Sequence, residues 1–226
     1  NPWTSMEWAF GGASNLTIPA NDTPNLSNLS SVSYMFKDAI SLNQSLNNWD
    51  MSSVISTAGM FDGAASFNQP LNSWDVGNVT YMNTMFKNAT SFNQPLDNWN
   101  MGNVVSTPGM FEGAASFNQP LNSWDVSSVE DIQSMFNSSN FNQPLNSWDV
   151  SSVEDMKFLF YENPAFNQPL NNWNTASLKT TILTFGGASA FNQPLNNWDM
   201  DEVVSTVGMF AGATSYDQSL ADWDVS

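Results

Sequence analysis

The chain has 226 residues with 21 acidic side chains, four lysines and neither arginine nor histidine, which gives a formal charge of -17. This charge disfavours nucleic acid and anionic membrane surfaces as partners. Cysteine is absent, so disulfides and thiol chemistry are excluded, and no apolar run is long enough for direct membrane insertion of this segment.

A repeat of 25 residues organises the sequence. Tryptophan recurs from Trp49 to Trp223 at this step, apart from one step of 24 between Trp124 and Trp148. A phenylalanine series keeps the same period and places the deleted residue between Phe136 and Phe141. Self-similarity at this period predicts one solenoid, in which each coil contacts only its neighbours.

The first part of the chain departs from the repeat. Met6 and Phe10 fall at repeat positions, but LTIPANDTPNL replaces the usual FNQPLNSW and the tryptophan is missing. We therefore predict an N-terminal cap and first imperfect repeat at 1-39, followed by tandem repeats at 40-226 of the same domain. Because Ser226 falls in mid-unit, we expect an uncapped C-terminal edge.

Each full repeat predicts two short elements. Alternation over Phe67-Trp74 indicates a parallel strand interrupted by Pro70, and apolar spacing of three or four over 76-86 indicates a short helix. Ser127/Glu130 and Ser151/Glu154 fit capping boxes. Other repeats carry Gly59, Gly109 and Gly208 in this element, where we expect 3₁₀ turns.

The combination FNQPLNxWDVSxVxxMxxMFxGAxSFNQ resembles the repeat of BspA-like bacterial surface proteins, which include mycoplasma-type surface lipoproteins. The resemblance covers residues 6-226. It implies a leucine-rich-repeat-like α/β solenoid, an extracellular or cell-surface location, and a role in adhesion. We accordingly expect a right-handed, gently curved body, roughly 40 Å long at about 4.8 Å per coil.

Two ladders have competing interpretations. The tryptophans could form a platform for stacking sugars, but eightfold retention of so large a residue favours core packing. An acidic ladder could chelate calcium between coils, although Asn100 and Asn174 interrupt it and an N-cap or Asx turn is the simpler role. The ladder consists of Asp50, Asp75, Asp125, Asp149, Asp199 and Asp224.

The repeated Asn-Gln pair, such as Asn68 and Gln69, could bind a ligand or join one coil to the next, and we favour a structural role for at least one of the two. The residue before each tryptophan varies between coils and is our candidate binding face. These residues are Asn48, Ser73, Asn98, Ser123, Ser147, Asn172, Asn197 and Asp222.

Without His, Cys or Arg, only carboxylates could supply acid-base catalysis, and we expect neither an enzyme nor a cofactor. The sequence favours a non-catalytic surface module that binds an extracellular protein or glycan. The alternative is a structural protein that forms filaments or a sheath by self-association through its C-terminal edge. A third possibility is recognition of a regular surface such as ice or a crystalline glycan.

Overall fold

The computed structural model describes residues 5-18 and 23-223, which form a stack of coils. Single parallel bridges join residues one repeat apart, such as Ser56 with Tyr81 and Tyr81 with Ser106. The bridges form one continuous row along the stack, at Ser31, Ser56, Tyr81, Ser106, Asp131, Asp155, Thr180 and Ser205. The repeats therefore pack directly on one another, as a solenoid requires.

Neither predicted element is present: the described residues contain no α-helix, no 3₁₀-helix and no strand beyond these isolated bridges. The predicted strand Phe67-Trp74 has no backbone bridge to its neighbours. The predicted helix coincides instead with the stretch that carries the parallel bridges and most backbone bonds between coils. The α/β detail of the leucine-rich-repeat-like prediction is thus not found, although the repeated architecture is.

We call the stretch that carries the parallel bridges the bridge segment, defined as 31-39 and its equivalents in the other coils. Its N-H groups alternate: Phe36 N donates to Met60 O of the next coil, whereas Lys37 N donates to Tyr34 O within its own coil. Tyr34 and Asp38 both have a φ of 57°. A positive φ at two positions four residues apart interrupts any helix and turns alternate peptide groups toward the neighbouring coil.

The same geometry explains the glycines for which we predicted 3₁₀ turns. Gly59 and Gly109 each have a φ of 60°, and Gly208 has a φ of 65°. This left-handed conformation costs glycine little, so these residues belong to the coil geometry rather than to a weak helix. The predicted capping boxes are also wrong, since Ser127 instead donates to Asp125, the residue two positions before it.

The core is built from stacked aromatic rings. The first phenylalanine ladder, from Phe10 to Phe210, has successive ring centroids 5.5-5.9 Å apart. Within a coil a second ring lies 3.7-4.2 Å from the first, as Phe67 does from Phe61. Phe10 stacks on Phe36, so the first coil continues the stack, while its role as a cap stays a prediction.

The deleted residue is accommodated by side-chain hydrogen bonds. Ser139 lies just after the left-handed Ser138, and its hydroxyl donates to Phe136 O at 2.8 Å. In the next coil the fully buried Asn163 donates to Ser139 Oγ and to Phe141 O. Phe136 and Phe141 keep a centroid distance of 4.0 Å, so the aromatic core continues through the shorter repeat.

Candidate functional site

Six of the eight ladder tryptophans lie in the core, as the packing interpretation predicted, and Trp49 and Trp223 at the two ends of the ladder are partly buried against it. From Trp74 to Trp198 they are 2-4% exposed. Each indole N-H donates to a leucine carbonyl of the preceding coil, as Trp124 Nε1 does to Leu96 O at 2.9 Å. Burial and a satisfied N-H leave no face for sugar stacking, so this ladder is structural.

The stretch before each tryptophan, Phe67-Trp74 and its equivalents, is here called the amide segment. Asn93 Oδ1 accepts the backbone N-H of Asn118 at 3.0 Å and the Gln119 amide at 3.1 Å. The backbone bond recurs at 2.9-3.0 Å in every coil from Asn68 to Asp217. Both amide positions therefore join the coils, and asparagine side chains replace the carbonyls that a strand would supply.

The residue before each tryptophan is exposed in all eight coils, which places the predicted binding face on one continuous surface row. Ser73 and Ser123 donate their hydroxyls to backbone oxygens of the preceding coil, and Asp222 accepts from Asn196. The side-chain amides of four asparagines, by contrast, make no hydrogen bond within the described part of the chain, although the backbone N-H groups of Asn98 and Asn197 donate to Asn72 and Asn171. These are Asn48, Asn98, Asn172 and Asn197.

The acidic ladder runs beside this row, and its described members are exposed. Asp125 Oδ1 accepts the N-H of Ser127 at 3.1 Å and its hydroxyl at 2.6 Å, which is an Asx turn. Asn100 makes the equivalent backbone bond to Gly102, which explains how asparagine can interrupt the ladder. Hydrogen bonds from the following serine lower the pKa of Asp50, Asp125 and Asp149 below the usual carboxyl value.

Over the described residues no three His, Cys, Asp or Glu side chains converge as metal ligands would, so the acidic ladder gains no support as a calcium site. Each carboxylate instead closes a turn in its own coil. Asp224, the last member of the predicted ladder, lies outside the described residues.

All four lysines form ion pairs. Lys37 and Lys87 reach across to Asp62 and Glu112 in the next coil. The hydrogen bond to Asp62 is the main cause that raises the pKa of Lys37. Every lysine therefore has an acidic partner, and the unpaired carboxylates account for the negative charge of the surface.

Sequence reasoning missed a second surface, on the outside of the bridge segment. Phe158, Tyr161 and Leu183 lie there, half-buried, at positions outside the apolar stripe on which the helix prediction rested. A signal existed in the repeat alignment: one position alternates between glycine, as in Gly59, Gly109 and Gly208, and large side chains, as in Tyr34, Phe158 and Leu183. That pattern marks an outward position, because a core position would keep its volume.

Comparison with known families gives one match. Three overlapping matches, at residues 4-121, 79-166 and 138-226, identify the family described as Mycoplasma protein of unknown function, DUF285. The chain belongs to this family. Neither a curated protein nor a solved structure matches it. The family agrees with the resemblance to mycoplasma-type repeats, while the narrower BspA-like assignment stays a prediction. The described residues include no helix long and apolar enough to cross a membrane.

Proposed function

We propose that this chain is a non-catalytic, surface-displayed module that mediates adhesion by binding a repeating polar polymer, most simply a glycan. The observation that carries the proposal is the exposed row before the tryptophans, where side-chain amides without a partner among the described residues recur on a stack with an aromatic core. Amide groups donate and accept hydrogen bonds, as sugar hydroxyls require. The resemblance to BspA-like, leucine-rich-repeat-like surface proteins supports the same function and an extracellular location.

The electrostatics favour an uncharged ligand. The row lies beside the carboxylates of the Asx turns, and each lysine already has an acidic partner. Anionic polymers would be repelled, whereas a neutral glycan would meet amides able to hydrogen-bond on four of the eight coils. Several weak contacts along one row would act together, because linked sites bind with high effective concentration.

The test compares two triple variants on a panel of immobilised neutral and acidic glycans. Asn98→Ala/Asn172→Ala/Asn197→Ala removes three unpaired amides. Ser66→Ala/Ser91→Ala/Ser116→Ala removes three exposed hydroxyls elsewhere on the coil and is the control. At about 1 kcal/mol per hydrogen bond, the asparagine variant should bind a neutral glycan about 100-fold more weakly. Equal binding by both variants, or no glycan binding by the unaltered chain, would refute the proposal.

A structural role is the second candidate, and the last coil supplies the observation that favours it. Phe210, Leu220 and Trp223 are partly exposed there, whereas their equivalents in interior coils are buried. The N-H groups of Thr206, Gly208, Phe210 and Gly212 have no backbone acceptor among the described residues. The edge of a second copy would supply both contacts.

Light scattering across a concentration series tests this second candidate. Filament formation predicts a mass that grows with concentration, and growth that Phe210→Lys abolishes. A constant monomer mass would remove self-assembly as the function and leave the binding proposal standing.

A further inference from the structure

The outer surface of the bridge segment carries an apolar patch on three consecutive coils, formed by Phe158, Tyr161, Ile182, Leu183 and Val207. The first four side chains are half-buried, and Val207 is 68% exposed. None belongs to the aromatic core, so core packing does not account for them. Contiguous apolar surface of this kind is a common mark of an interaction site.

Two members of the apolar patch have a left-handed backbone conformation, which disfavours large side chains. Phe158 has a φ of 56° and Leu183 a φ of 53°. The left-handed conformation costs an L-residue roughly 1-2 kcal/mol. Gly59 and Gly109 avoid this cost at the same repeat position, and Ser134 shows that a small residue also fits. Large apolar groups are thus retained where the fold itself needs none.

The patch has a defined local geometry. The Phe158 and Tyr161 rings meet edge to face with centroids 5.6 Å apart. Gly186 lies between Tyr161 and Leu183, and a Cβ placed there would come within 2.9 Å of the first and 2.7 Å of the second. A Cβ on Gly208 would likewise come within 2.8 Å of Leu183. Side chains from one coil therefore lie over the glycines, and the surface continues from coil to coil.

The rim of the apolar patch is acidic. Glu154 and Glu162 are exposed, and Glu162 leans over Gly187 of the next coil. The two lysines nearby are neutralised, Lys157 by Asp155 at 2.9 Å and Lys179 by Glu202 at 3.1 Å. An apolar centre with an acidic rim complements a segment that has one apolar face and basic flanks.

We infer that the apolar patch docks a basic amphipathic segment of another protein. A second copy of this chain cannot supply that charge, since it carries -17 and its only four cations are already paired. The patch lies on the bridge segment, apart from the row before the tryptophans. The module would therefore hold a protein partner independently of any glycan.

The test measures fluorescence anisotropy of labelled probe peptides with the full chain. The probe is a leucine-lysine amphipathic helix of about 18 residues, and a peptide with glutamate in place of each lysine controls for charge. Phe158→Ser/Leu183→Ser removes the apolar groups without changing the net charge, and serine at this position is native in Ser134. Tyr34→Ser makes the same change in a distant coil.

We expect the basic peptide to bind the unaltered chain and Tyr34→Ser equally. It should bind Phe158→Ser/Leu183→Ser at least about tenfold more weakly. The glutamate peptide should not bind. Equal binding to all three proteins would mean that net charge alone attracts the peptide, and would overturn the inference. Absence of binding to the unaltered chain would overturn it as well. So would self-association that the double substitution abolishes, because the occupant would then be a second copy.

Discussion

The bridge segment and the amide segment both form hydrogen bonds from one coil to the next, but they use different acceptor atoms. In the bridge segment, backbone N-H groups donate to backbone carbonyls of the next coil, as Phe86 N does to Met110 O at 2.9 Å. In the amide segment, an asparagine side chain is the acceptor, as Asn93 Oδ1 is for Asn118 N at 3.0 Å. One segment is held by atoms that every residue has, and the other by atoms that only particular residues supply.

This difference explains how far each segment varies between repeats. The first left-handed position of the bridge segment holds tryptophan, tyrosine, glycine, threonine, serine, phenylalanine or leucine. The amide segment keeps Asn-Gln in seven consecutive coils, from Asn43 to Asn192, and the next coil has Asp217, a carboxylate, in place of the asparagine. Because the backbone bonds of the bridge segment do not depend on side-chain type, the outward residues can vary, and this variation allows an apolar patch there.

The largest expected effect is the loss of a tryptophan from the amide segment. Trp124→Ala removes a buried ring and its bond to Leu96 O, and should lower the free energy of unfolding by about 3-5 kcal/mol. Trp124→Phe keeps much of the ring and loses the N-H, so its smaller cost separates packing from hydrogen bonding. Denaturant unfolding measures both, and equal losses would show that the indole bond dominates.

Next in size is the asparagine acceptor itself. Asn93→Ala removes the acceptor of two hydrogen bonds, from the N-H of Asn118 and from the Gln119 side-chain amide, and should cost about 1-3 kcal/mol at about 0.5-1.5 kcal/mol per bond. Asn93→Asp keeps a carboxylate oxygen as acceptor and should cost less by the same measurement. If aspartate proves as harmful as alanine, the amide donor matters more than we infer.

Left-handed positions give a smaller effect of either sign in the bridge segment. Ser134→Gly relieves a φ of 57° and should stabilise the chain by at most about 1 kcal/mol. Gly109→Ser introduces a Cβ 3.0 Å from Glu112 Oε2 and should destabilise it by roughly 1-2 kcal/mol. The two thermal midpoints should move in opposite directions, and a shift in the same direction would contradict the assigned geometry.

The smallest effect concerns the Asx turns. Asp125→Ala loses the bonds from Ser127, whereas Asp125→Asn should retain the turn, as Asn100 does. Those bonds lower the pKa of Asp125 in the folded chain. The wild-type advantage over alanine is therefore complete above the unfolded carboxyl pKa of about 4 and declines as pH falls through the lower folded value. Thermal midpoints compared at neutral and acidic pH test this, and an advantage that grows in acid would contradict it.

The sequence predicted the stacking of repeats, because the period of 25 residues recurs along the chain. It also predicted the buried tryptophans, because so large a side chain recurs at the same position of each full repeat. Secondary structure was predicted wrongly for a physical reason. Spacing of three or four, as in Val76, Val79 and Met82, indicates one buried face and does not distinguish a helix from turns with alternating peptide directions. Likewise, alternation in Phe67-Trp74 could not reveal that Asn68 replaces a backbone acceptor.

The candidate row before the tryptophans was predictable, since a buried tryptophan turns its neighbours outward. The apolar patch was only partly predictable. Its members fall outside the apolar stripe of spacing three or four, and the repeat position of Phe158 varies from glycine to phenylalanine. The sequence could not show that Phe158, Tyr161 and Leu183 meet on one surface, because this depends on the positive φ of Phe158 and Leu183.

Hydrogen exchange in Asn93→Ala, followed residue by residue by NMR, tests the central claim most directly. The account predicts that the amide of Asn118 exchanges much faster than in the unaltered chain, while the amides of Phe86 and Phe111, bonded to Met110 O and Met135 O, keep their protection. Unchanged protection at Asn118, or an equal loss at Phe86 and Phe111, would contradict the division into two separately bonded segments.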